Sequence, residues 1–81
     1  MKEIILILKI NNFYRRTVNG IVYKQYTLDT FLDNKQTKAD IIADISAVLR
    51  DMESRKLTKK EMKAYKKYNA IIAEIKMFKE N

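Results

Sequence analysis

The spacing of apolar and polar positions divides the chain into three blocks. The first is KEIILILKI, residues Lys2 to Ile10. Ile4, Leu6, Leu8 and Ile10 share one parity, and Ile5 and Ile7 share the other. A short isoleucine- and leucine-rich run with both parities apolar predicts a strand covered on both faces. Asn11-Asn12 follows, and asparagine tolerates left-handed backbone angles, so a turn is expected there.

The second block contains the chain's one glycine, in YRRTVNGIVYKQY. Asn19-Gly20 supplies the two positive φ angles of a type I′ turn, and it separates two runs rich in aromatic and β-branched residues. This predicts a β-hairpin in which Phe13 to Val18 pairs with Ile21 to Tyr26. With the first strand it makes a three-stranded antiparallel meander over residues 1–28. One face of the hairpin would carry Tyr14, Arg16, Val18, Ile21, Tyr23 and Gln25. The other would carry Phe13, Arg15, Thr17, Val22, Lys24 and Tyr26. Ile4, Leu6, Leu8 and Ile10 would join this second face, which is therefore the expected core side.

The third block has the helical period. Ile41, Ile45, Val48, Leu49 and Met52 fall on one face, which predicts a helix over 37–54 with Thr37 as its N-cap. A second helix is expected over 58–80. Thr58 and Glu61 have the spacing of a capping box, Leu57 and Met62 that of a hydrophobic staple. Its apolar stripe runs through Ala64, Tyr65, Tyr68, Ile71, Ile72, Ile75 and Phe78. The expected fold is a single α+β domain over 1–81, in the order β-β-β-α-α, with the αα-hairpin packed on one sheet face.

Composition narrows the chemistry. The 81 residues include no cysteine, no histidine and no proline. Disulfides, a thiolate nucleophile and the commonest general base are therefore excluded. Ser46 and Ser54 sit in no nucleophile motif, and one glycine cannot build a phosphate-cradling loop. Glu74-Ile75-Lys76 matches the end of a nuclease motif, but on an expected helix rather than a strand. Asp40 and Asp44 lack the third ligand a metal site needs. Neither catalysis nor a cofactor is expected. IILIL, Ile4 to Leu8, falls far short of the roughly 20 apolar residues of a membrane span, so no membrane association and a cytoplasmic location are expected.

Charge supplies the positive signal. The net charge is +7, and it is segregated: the expected first helix is acidic and residues 55–81 are strongly basic. Lys59, Lys60, Lys63, Lys66 and Lys67 crowd the start of the second helix, where like charges repel at i, i+4 and the helix dipole disfavours cations. Helix stability alone would not place them there. They are the expected phosphate contacts of a small basic DNA- or RNA-associated accessory or regulatory protein. Arg15, Arg16 and Lys24 are expected to assist, with Tyr14 and Tyr23 as stacking rings on a sheet face that also carries Lys9 and Arg16. If the acidic residues of the first helix pair with these lysines, that reading weakens. The alternative is a protein–protein interaction module, such as a phage-type inhibitor of a host nucleic-acid enzyme (anti-CRISPR-like), or a purely structural homo-oligomer. An acidic protein is a further candidate partner, and a homodimer is expected through the sheet or the second helix. The pieces TF at Thr30-Phe31 and TKAD at Thr37 to Asp40 resemble the approach to the helix in the arm-binding domains of phage integrases. They span a few residues only, and no family is assigned on them.

Overall fold

The isoleucine-rich first block folds as a helix. In the computed structural model, which describes residues 2–16, 24–32 and 35–77, α1 spans Lys2–Arg16 and runs through Asn11-Asn12 without a break. Leu6, Ile7, Ile10, Phe13 and Tyr14 are all buried. Their spacing of i, i+1, i+4, i+7 and i+8 is one stripe of a 3.6-residue helix. A strand would have needed cover on two faces. The helix collects five large side chains on one side and leaves Ile4, Ile5 and Leu8 on the other.

The expected sheet is thereby overturned. Lys2 to Ile10 and Phe13 to Arg16 are helical, and Lys24 to Thr27 belongs to no regular element. Among the described residues there is no strand, so the α+β class gives way to an all-helical domain. The Asn19-Gly20 turn and Tyr23 fall in residues 17–23, outside the described residues. Asn11, expected in a turn, instead receives the segment Lys24 to Thr27. Its Nδ2 donates to the Tyr26 carbonyl at 3.0 Å, and its Oδ1 accepts from the Tyr26 amide at 2.8 Å. One side-chain amide thus offers the donor and acceptor that a neighbouring strand would offer.

Helix α2, Leu28–Leu32, is a short turn started by Thr27. The Thr27 amide donates to Thr30 Oγ1 at 3.0 Å and the Thr30 amide donates to Thr27 Oγ1 at 3.3 Å. These reciprocal bonds satisfy amides that a helix start leaves without partners. The turn delivers Phe31 into the core, fully buried. The buried Lys38 runs its stem beside it, with the amine 5.4 Å from the ring centroid. This is a cation–π arrangement.

Helix α3, Lys35–Glu53, starts before Thr37, so Thr37 lies within the helix and is not its N-cap. Ile41, Ile45, Leu49 and Met52 form its buried face. Arg55 follows, bridging to Asp51 and Glu61. Helix α4, Lys59–Met77, begins at a complete capping box. The Thr58 amide donates to Glu61 Oε1 at 3.0 Å, and the Glu61 amide donates to Thr58 Oγ1 at 3.2 Å. Thr58→Ala is expected to cost about 1 kcal/mol, read as a lower urea midpoint at unchanged slope.

Helices α3 and α4 pack as an αα-hairpin, and α1 occupies the side on which a sheet was expected. Phe13 is the aromatic centre. Its ring meets Tyr14 and Tyr68 edge-on, with centroids 5.0 Å apart in both cases. Ile71 and Ile75 of α4 close the core against α1 and α3. No helix among the described residues is long and apolar enough to cross a membrane.

Candidate nucleic-acid interface

Helices α1 and α4 run antiparallel: Lys9 lies beside Glu74, and Phe13 beside Tyr68. Lys60, Lys63 and Lys67 follow one another at i, i+3 and i+7, so they share the flank of α4 that turns toward α1. Lys9, Asn12 and Arg16 repeat that spacing on α1. The two flanks border a groove of about 400 Å³, floored by Phe13, Ala64 and Tyr68. Lys9, Asn12, Arg16, Lys60, Lys63 and Lys67 all line it, together with Glu61. The Lys9–Glu74 ion pair, 3.1 Å long, marks the end nearer the C-terminus of α4.

The carboxylates of α3 are engaged elsewhere. Asp44 accepts from Lys24 at 3.0 Å and from the Tyr14 hydroxyl at 2.6 Å. Asp51 meets Arg55, Asp40 accepts from Gln36, and Glu53 accepts from the Tyr65 hydroxyl. None of these α3 carboxylates reaches a lysine of α4. Among the described residues, Glu61 is the one acid lining the groove. The Arg55 guanidinium and the Thr58 amide hold its carboxyl below the usual carboxylate range, so its charge is answered from outside the groove. Among the described residues, Arg15, Arg16, Lys59, Lys60, Lys63, Lys66 and Lys67 have no carboxylate within 4.0 Å. The acidic helix therefore does not neutralise the basic one.

The residues expected from the sequence separate into groups. Lys60, Lys63, Lys67 and Arg16 converge on the groove. Lys59 and Lys66 are exposed on the adjoining outer flank of α4, and Arg15 is exposed on another side of α1. These three extend the positive field without lining the groove. Tyr14 and Lys24 belong to the packing instead. The Tyr14 ring is 1% exposed, which leaves no face for a base. Burial and the bond to Asp44 push its hydroxyl far above the ordinary tyrosine range, so it stays protonated. The same carboxylate raises the Lys24 amine, and the amine lies 5.8 Å from the Tyr14 ring centroid. Tyr14, Asp44 and Lys24 together fasten the segment Lys24 to Thr27 onto α1 and α3.

Asn12 joins the groove without having been expected at a binding surface, and Lys9, expected beside Arg16 on a sheet face, reaches it from a helix. Their signal is the i, i+3, i+7 spacing with Arg16, which has meaning only once α1 is a helix. Comparison with protein-family models, with curated proteins and with solved structures finds no match to this chain.

Proposed function

We propose that the protein is a small, non-catalytic nucleic-acid-associated factor that holds phosphates along the basic groove between α1 and α4. The observation that carries this reading is the set of cations on α1 and α4 that no carboxylate among the described residues answers. Phosphates laid over Arg16, Lys60, Lys63 and Lys67 would relieve the mutual repulsion of these groups and release condensed counterions. Lys59 and Lys66 would add to attraction at longer range. An acidic protein would be drawn by the same field, and serves as the control competitor. Titration of labelled DNA and RNA at low salt tests the reading. Binding that weakens steeply with added salt is expected, and no binding at low salt to either nucleic acid would overturn it.

A second reading, a protein-interaction module that includes a homodimer, is favoured by one observation. Ile4, Ile5 and Leu8 are 45%, 52% and 58% exposed on the outer side of α1. A cluster of aliphatics on the solvent side of so small a domain suits an interface. On this reading light scattering gives a dimer at micromolar concentration that Leu8→Lys dissociates. A monomeric wild-type protein would contradict it.

A further inference from the structure

We infer that the α1–α4 groove takes an unpaired nucleotide, with the base on its apolar floor and the phosphates on its cationic rim, so that the protein prefers single strands to duplexes. The inference rests on the phosphate-binding reading above and adds the form of the nucleic acid. Most residues lining the groove are charged, yet the surface they enclose is mainly apolar. Lysine and arginine stems account for this: their methylenes cover the walls while the charged heads remain in water. The floor completes the apolar surface with Ala64 and Tyr68 over the buried Phe13 ring.

Phosphates alone do not use such a floor. A simple polyanion site needs cations and no apolar cavity. A duplex presents phosphates and sugars outward and keeps its bases stacked inside, so it would touch only the rim. A single strand can turn a base out of line and stack it on an aromatic ring while its phosphates stay on the cations. The volume of about 400 Å³ is that of a small-ligand site.

Tyr68 is suited to receive the base. It is only half-buried, and its ring stands at 86° to the Phe13 ring, 5.0 Å away centre to centre. That contact orients the ring before anything binds, so little rotamer freedom is lost on stacking. Asn12 places a side-chain amide at the edge of the same groove, with both a donor and an acceptor for a base edge. Glu61 does not repel the phosphates strongly, because Arg55 holds its charge.

The test compares three probes: a short oligodeoxythymidylate, a duplex of equal length, and inorganic polyphosphate. The single strand is expected to bind most tightly. Tyr68→Leu keeps an apolar side chain and removes the ring, and it is expected to weaken single-strand binding by roughly 5- to 150-fold, the range of one stacked base. Duplex and polyphosphate affinities should stay as they are, and Tyr68→Phe should restore single-strand binding. Should Tyr68→Leu fail to fold, Ala64→Gln fills the floor with a polar side chain at a half-buried position of α4 and should act the same way. A duplex bound as tightly as the single strand overturns the preference but leaves the phosphate reading in place. Single-strand binding indifferent to both substitutions does the same. Failure to bind all three probes overturns both.

Discussion

Leu6→Ala is expected to destabilise the protein by roughly 2–5 kcal/mol, while Leu8→Ala changes its stability by less than about 1 kcal/mol. The two leucines are two positions apart. On a strand they would share a face, and their truncations would cost alike. On α1 they lie on opposite sides: Leu6 is 1% exposed and packed in the core, and Leu8 is 58% exposed. Removing Leu6 withdraws a large aliphatic group from contact with the aromatic and isoleucine side chains around it, and a small domain cannot collapse fully around the void. An 81-residue chain buries a modest share of its surface, so its total stability lies toward the low end of about 5–15 kcal/mol. Leu6→Ala should therefore be substantially unfolded at physiological temperature, or melt roughly 8–40 °C below wild type. Thermal melts followed by circular dichroism at a helix band measure both variants. Equal losses would contradict the helical register of α1.

Replacing Lys60, Lys63 and Lys67 together by alanine is expected to abolish most nucleic-acid binding and leave folding intact or improved. Each phosphate contact contributes a slope of about −0.7 to −0.9 in log affinity against log salt. Referred to about 1 M salt, where this contribution vanishes, each contact is worth roughly tenfold at about 50 mM. Three lost contacts then amount to a weakening on the order of 10³-fold. Stability should move the other way. Lys59–Lys63 and Lys63–Lys67 are like-charge pairs at i, i+4, each costing about 0.2–0.5 kcal/mol. The substitutions also remove cations from the positive end of α4 and introduce the best helix former. A melting temperature equal to or above wild type, with binding lost, separates a functional role of these lysines from a structural one.

The sequence carried the C-terminal half of this fold plainly. Ile41, Ile45, Leu49 and Met52 keep the helical period without interruption, and the Thr58–Glu61 capping box forms as its spacing implies. The N-terminal half was not legible in the same way. In KEIILILKINNFYRR the apolar residues satisfy a period of 2 and a period of 3.6 at once, because Ile4, Ile5 and Leu8 lie off the buried stripe. Local propensity then favours a strand at the isoleucines and a turn at the asparagines. Packing decides otherwise, and such preferences are weak enough to be overridden. The role of Asn11 depends on Tyr26, fifteen positions away, and no local pattern encodes that pairing.

The candidate site divides along the same line. The lysines of α4 stand out by charge alone. The contribution of α1 does not, because Lys9, Asn12 and Arg16 meet them only when α1 is helical and antiparallel to α4. Tyr14 shows the converse error. An aromatic beside two arginines suggested a stacking ring, yet its i, i+4, i+8 spacing with Leu6 and Ile10 in a helix places it in the core.

The salt dependence of binding, compared between wild type and the Lys60, Lys63, Lys67 triple alanine variant, tests the phosphate-binding groove most directly. Anisotropy titrations of a labelled oligonucleotide between about 50 mM and about 200 mM salt give the slope for each protein. With Arg16, Lys60, Lys63 and Lys67 on phosphates, the wild-type slope is expected to be about −3 to −3.5, and the variant slope shallower by about 2 to 2.7. A wild-type slope near zero, or a variant whose slope and affinity match wild type, would contradict the assignment of these residues to phosphate binding.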